Sequence, residues 1–220
     1  MQAIILANGD TGSRGDLDRT WPGWAQGDAL VIAADGGARN ADRLSLHIDR
    51  WVGDGDSLGD EGVAGLIARG IPVLRVPTDK DESDTELAVT EAAGLGATEI
   101  VVLGALGGNR VDHALANVTL LAHPLLVGLD VRLLAPDARV RLVVGPASMD
   151  VGGRIGDLVT LLPLGEDGHD VTTTGLRYPL RGETLSSGRS RGLSNVRTSS
   201  EASVAIRRGR LLVVEAPATL

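Results

Sequence analysis

Carboxylates recur just after short apolar runs at four places in the first half of this 220-residue chain, three of them with glycines close by. Asp35-Gly36-Gly37 follows Ala34, and Gly53-Asp54-Gly55-Asp56-Ser57 follows Trp51-Val52. Thr78-Asp79-Lys80-Asp81-Glu82-Ser83-Asp84 follows Val76-Pro77, and a Gly104–His113 stretch containing Asn109, Arg110 and Asp112 follows Leu103. Ionised carboxylates crowded into one crevice repel unless a cation compensates them. Mg²⁺ takes oxygen ligands, usually one or two carboxylates with phosphate oxygens and water. Glycines let backbone amides approach phosphates, and helix N-termini favour their charge. Lys80 and Arg110 supply cations for the same oxygens. The chemistry indicated is phosphoryl-type transfer at a Mg²⁺–nucleotide site, where catalysis is mostly positioning and charge neutralisation. Taken singly, each motif also reads as a turn, an acidic loop or a helix cap. Their recurrence at successive strand ends carries the functional reading.

The elements that must position these groups follow from the apolar pattern. Strands are expected at Ala3–Ala7, Ala29–Ala34, Val73–Val76, Ile100–Leu103 and Val131–Leu134. Helices are expected near Ala38–Leu46, Asp60–Arg69, Asp84–Leu95 and Asp112–Ala122, with Ser83 and Glu86 as a capping box for the third. Alternation of this kind points to an α/β domain with a mainly parallel sheet, whose ligands bind at the carboxyl ends of the strands. After Pro136 the segments become short, Val/Leu/Thr-rich and separated by Gly, with a hairpin turn expected at Arg208–Arg210. The expected organisation is an α/β domain over 1–136 and a small all-β sandwich or barrel over 139–220.

Composition narrows the classes. The formal net charge is −8, with residues 171–220 at +5 and the remainder at −13. With no Phe, one Tyr and three Trp, stacking platforms for single-stranded nucleic acid are nearly absent, so no nucleic-acid partner is expected. The absence of Cys excludes disulfides, thiolate catalysis and Cys-based zinc sites, and fits a cytoplasmic protein. The apolar start at Ala3–Ala7 is too short for a signal core, and Leu120–Leu129 is broken by His123 and Pro124, so no membrane association is expected. Lys80 lacks the Gly-Lys-Ser/Thr context of a P-loop. Gly188-Arg189-Ser190-Arg191-Gly192 matches a nucleophile elbow by letter, but no His follows His169 to complete a triad. In the tail, Gly192-Leu193-Ser194-Asn195 reads either as a surface turn or as a pair of side chains suited to the hydrogen-bonding edge of a small heterocycle.

In order, Asp35-Gly36-Gly37, Gly53–Ser57, Asp81-Glu82-Ser83-Asp84, Gly107–His113 and Gly192–Asn195 resemble the motifs of the thiamine pyrophosphokinase family, over nearly the whole chain. Tyr178-Pro179-Leu180 is similar to a stretch of its bacterial members. The resemblance implies an α/β nucleotide-binding domain followed by a β domain. It implies a homodimer whose acceptor site lies at the subunit interface, and transfer of a pyrophosphoryl group from ATP to thiamine with release of AMP. It marks Asp54, Asp56 and Asp84 as Mg²⁺-associated and catalytic, with Asp81 and Lys80 beside them. It assigns Asp35, Gly36, Gly37, Ser57, Ser83, Arg110, Asp112 and His113 to ATP, and Ser194 and Asn195 to thiamine. Two alternatives stay open on the residues alone: a pyrophosphokinase for another heterocyclic alcohol such as a hydroxymethylpterin, and a non-catalytic nucleotide or thiamine sensor.

Overall fold

A computed structural model describes residues 1–218, which fall into two compact units, Met1–Pro136 and Asp137 onward. The first unit holds six strands: β1 (Gln2–Leu6), β2 (Leu30–Ala34), β3 (Arg50–Gly53), β4 (Val73–Arg75), β5 (Glu99–Leu103) and β6 (Asp130–Ala135). They pair in parallel in the order β6-β5-β1-β2-β3-β4. All five residues of β1, and the last four of β2 and of β5, are buried, which is why these strands read as unbroken apolar runs. The helices are α1 (Arg14–Thr20), α2 (Asn40–Arg43), α3 (Asp60–Ala68), α4 (Asp84–Gly94) and α5 (Val111–Leu120). From β1 the chain proceeds one way through β2, β3 and β4, then returns to place β5 on the other side. The gap between the ends of β1 and β5 is therefore the topological switch point where such sheets bind ligands.

With no Phe in the chain, the three Trp carry the aromatic share of this core. Trp21, Trp24 and Trp51 are all buried, and each indole N–H has a partner: Ala135 O at 2.8 Å, Asp18 Oδ1 at 2.7 Å and Asp35 O at 3.0 Å.

Several elements differ from expectation for identifiable reasons. The expected Ala38–Leu46 helix starts earlier, as a 3₁₀ turn over Asp35–Arg39 that leads into the single turn of α2. The apolar pattern does not mark α1, because Leu17 is its only buried residue; its sequence signal is the Ser13/Asp16 capping box. At α4 the Ser83 hydroxyl accepts the Glu86 N–H at 3.1 Å.

The second unit is built of two antiparallel sheets. One has the order β12-β9-β14-β7, from β7 (Ala138–Val144), β9 (Leu158–Pro163), β12 (Asn195–Val196) and β14 (Arg210–Ala216). The other has the order β11-β10-β13-β8, from β8 (Ala147–Asp150), β10 (Gly168–Thr174), β11 (Arg181–Leu185) and β13 (Ser203–Ile206). Val143, Val159, Leu161, Leu211 and Val213 of the first sheet share a core with Val171, Leu185, Val204 and Ile206 of the second. The expected hairpin at Arg208–Arg210 is not formed. β13 pairs with β8 and β10 while β14 pairs with β7 and β9, so Gly209, at φ 98°, turns a corner between the sheets. The strands of this unit that the sequence pattern does not mark, β8, β11 and β12, all lie at sheet edges, where polar residues break the alternating pattern.

Glu215 and Arg197 are buried charges of this unit. Glu215 is 2% exposed and accepts from Arg139 (2.6 and 2.8 Å), Arg141 (2.9 Å) and the Gly152 N–H (2.6 Å). Removing one partner of a buried charge group leaves the others uncompensated. Glu215→Gln is expected to cost about 3–5 kcal/mol, seen as a lower urea midpoint by circular dichroism.

Candidate active site

Five loops of the first unit converge at the carboxyl ends of its strands. They enclose a cleft of about 390 Å³ lined by Asn8 and Gly9 after β1, Asp35 after β2, Ser57 after β3, Lys80 and Asp84 before and at the start of α4, and Gly104, Gly107 and Arg110 after β5. The loops after β1 and β5 are laced together at the switch point. Gly9 N donates to Gly104 O (3.1 Å), and the buried Asn40 amide donates to Ala7 O (2.9 Å) and Gly9 O (3.1 Å).

Asp35, Asp54 and Asp84 come together, each offering one carboxylate oxygen within 4.8 Å of the others. Asp35 is buried and its backbone sits at φ 42°, a conformation that a non-glycine residue adopts only when its surroundings enforce it. They do: the Trp51 indole donates to its carbonyl, and its carboxylate accepts the backbone N–H of Ser57 at 3.0 Å. Asp54 is held from the other side. Its Oδ1 accepts the Asp56 N–H at 2.9 Å and its Oδ2 accepts from Lys80 Nζ at 3.1 Å. The Asp56 amide first, and Lys80 after it, hold the Asp54 carboxyl below its ordinary value, overcoming the opposing effect of burial.

Asp84 behaves oppositely. Burial pushes its pKa up, the charges of Asp54 and Asp35 add to the rise, and Lys80 only partly offsets it. Its Oδ1 is 3.1 Å from Lys80 Nζ, an ion-pair distance without hydrogen-bond geometry, so this buried oxygen has no hydrogen-bond partner. For Lys80, burial acts to lower the pKa, but its contacts with the Asp54 and Asp84 carboxylates outweigh it and the ammonium is held above its usual value. Three clustered carboxylates, one with an unsatisfied buried oxygen, form a hard-oxygen donor set that suits a divalent cation.

Other residues singled out from sequence are placed as follows. Ser57, Ser83, Arg110 and His113 line the cleft. Asp56 is exposed, its carboxylate accepting from the Ser57 hydroxyl at 2.9 Å, and enters the acidic group only through its backbone N–H. Gly55, at φ 87° between the two aspartates, makes the turn that sends Asp54 inward and Asp56 outward. Asp81 is exposed, outside the cleft lining. Gly36 and Gly37 are buried and closely packed: a Cβ on Gly36 would stand 2.5 Å from Asn8 Oδ1 and one on Gly37 1.9 Å from Leu6 O. Asp112 is exposed and paired with Arg110 at 2.6 Å, which holds its carboxyl well below the usual range. In the second unit, Ser194 is exposed at φ 57°. The buried Asn195 accepts from Tyr178 N (3.0 Å) and donates to Tyr178 O (2.7 Å). Its amide is thus committed to presenting Tyr178, which is 63% exposed.

Residues 23–133, just over half the chain, match the family model for the thiamin pyrophosphokinase catalytic domain. The chain belongs to the thiamin pyrophosphokinase family. Residues 149–211 match that family's vitamin B1 binding domain. Thiamine pyrophosphokinase of Bacillus subtilis is 27% identical over 194 residues, covering 87% of this chain and 89% of that protein. A solved structure of the thiamine pyrophosphokinase from the same species superposes with a TM-score of 0.85 at 24% identity, covering 99% of both chains. Thiamin pyrophosphokinase from Candida albicans gives 0.76 at 15% identity, over 98% of this chain and 90% of that one. These two likenesses carry the fold, an α/β unit followed by a two-sheet β unit.

Sequence reasoning missed Asn8, Gly9, Asn40 and Asn117 in this thiamin pyrophosphokinase site. Asn40 and Asn117 are buried amides that hold the loops after β1 and β5, Asn117 donating to Ala105 O at 3.0 Å. The available signal was Asn8-Gly9, directly after the first apolar strand, where turn residues mark a ligand-side loop.

Proposed function

We infer that the protein transfers the pyrophosphoryl group of ATP to the hydroxyl of thiamine, giving thiamine diphosphate and AMP, as a cytoplasmic Mg²⁺-dependent homodimer. The reading is carried by one conjunction: a chain of this family whose strand-end loops gather Asp35, Asp54 and Asp84 beside Lys80. The acceptor follows from the vitamin B1 binding match over 149–211, which does not favour the pterin alternative. Among the described residues no helix is long and apolar enough to cross a membrane, which agrees with the proposed location.

In this reading Asp35, Asp54 and Asp84 hold the Mg²⁺, with Asp56 exposed on the same loop. The cation supplies charge neutralisation to the triphosphate. The glycine-rich loops after β1 and β5 let the polyphosphate approach backbone amides, and Lys80, Arg110 and His113 contact its oxygens. The thiamine hydroxyl oxygen attacks the β-phosphorus. That O–P bond forms as the bond from the β-phosphorus to the AMP oxygen breaks, and the hydroxyl proton passes to an ionised carboxylate of the site. Ser194 contacts thiamine, and Asn195 acts as a positioning residue through Tyr178; in the homodimer the acceptor site draws on both subunits.

Phosphorus-31 analysis of the protein with ATP, Mg²⁺ and thiamine is expected to give AMP and thiamine diphosphate. Chelation by EDTA is expected to stop it. ADP with thiamine monophosphate would show that a different phosphorus is attacked, and tight binding without products would leave only a sensor.

A further inference from the structure

We propose that Lys80 is a built-in stand-in for the divalent cation. It neutralises the acidic group while the cleft is free of nucleotide, and withdraws to the phosphate oxygens when metal and nucleotide arrive. The proposal rests on the Mg²⁺–ATP reading above, but it concerns a different property, the balance between metal-free and metal-bound protein.

The Lys80 ammonium lies 3.1 Å from Asp54 Oδ2 and 3.1 Å from Asp84 Oδ1, and its side chain is 13% exposed. It thus holds two of the three carboxylates that offer oxygens to one point. Without a cation, that group would place three anions within 4.8 Å of one another, each disfavouring the ionisation of its neighbours. The contact is built to release. The Asp54 arm has full hydrogen-bond geometry, whereas the Asp84 arm, at the same distance, is an ion pair whose alignment falls short of it. The loop that carries Lys80 is exposed on both sides, at Thr78, Asp79, Asp81 and Glu82.

Residue type points the same way. Of 21 cationic side chains this is the sole lysine. An arginine fork would bind a carboxylate bidentately in a fixed geometry, whereas an ammonium is a point charge on a flexible stem that exchanges partners freely. The consequence is coupled binding. A metal ion alone must evict the ammonium into water, whereas a metal ion with nucleotide offers it a new anionic partner.

The test is a Mn²⁺ titration, followed by electron paramagnetic resonance, of the full-length protein without nucleotide. Wild type is compared with Lys80→Met and Lys80→Gln. Both variants are expected to bind Mn²⁺ at least about tenfold more tightly than wild type, since a unit charge a few ångströms away is removed. In EDTA their thermal midpoints are expected to fall below wild type, and Mn²⁺ to raise them by more. Folding of either variant only in the presence of Mn²⁺ would be the same result in stronger form. Unchanged or weaker Mn²⁺ binding in both variants would overturn the proposal, as would no Mn²⁺ binding by any of the three proteins. The phosphorus-31 analysis of wild type judges the reaction separately. Thiamine diphosphate formed by wild type, with no tightening in the variants, would remove the stand-in role and leave the enzyme assignment intact.

Discussion

Asp84→Asn is expected to lower turnover by about 10²–10³-fold, or about 3–4 kcal/mol of transition-state stabilisation, without weakening the fold. The two effects separate because of where Asp84 sits. Its ionised form is disfavoured by burial and by the neighbouring charges of Asp54 and Asp35, so its folded-state pKa lies above 3.8. A carboxyl with a raised pKa contributes its stability below the unfolded value and loses it as pH rises through the folded value. Wild type therefore loses ground to the uncharged variant as pH rises from about 4 toward neutrality. Thermal melts in EDTA should show a gap in the variant's favour that widens with pH, while steady-state AMP release falls at every pH. A variant that melts far below wild type at neutral pH would make Asp84 a structural residue.

Gly9→Ala is expected to disable the protein by a different route. A Cβ at Gly9 would lie 2.1 Å from Gly107 O and 2.3 Å from Gly104 O, both backbone atoms of the loop after β5. Ordinary overpacking costs about 1–3 kcal/mol because side chains can yield. Here two carbonyls must move, and with them the Gly9–Gly104 hydrogen bond that closes the switch point. The expected result is a loss at or above the top of that range, together with loss of ATP binding by calorimetry. Gly65→Ala is the matched control. It lies in α3 with nothing within 4 Å of the added Cβ, and should stabilise by about 0.5–1 kcal/mol. Equal stability for Gly9→Ala and wild type would show that the two loops can part without cost.

The parallel sheet was legible in sequence because its strands are buried on both faces, leaving runs such as Ala3–Leu6 and Ile100–Leu103 that no surface element would carry. The acidic loops were legible because four successive apolar runs each lead into carboxylates, three of them with glycines close by, a recurrence that solvated turns alone would not produce. The edge strands β8, β11 and β12 left no such mark. The route of the chain across Gly209 is not legible in sequence, because a turn residue between two strands signals reversal whether or not the strands then pair.

Which carboxylates meet was decided in three dimensions. Asp54 and Asp56, two residues apart, would share a face if the backbone stayed extended. Gly55 at φ 87° breaks that alternation, and Asp35, nineteen positions before Asp54, takes the place beside it. Residue chemistry is local and can be read along the chain; proximity between strand ends is set by sheet order and by backbone torsions at a few loop positions. The sequence alone therefore determined the α/β unit followed by a β unit, the phosphate-handling character of the loops and the family motifs. Only the packed structure decided that Asp35, Asp54 and Asp84 form the group, that Lys80 bridges two of them, and that Asn195 is spent on Tyr178.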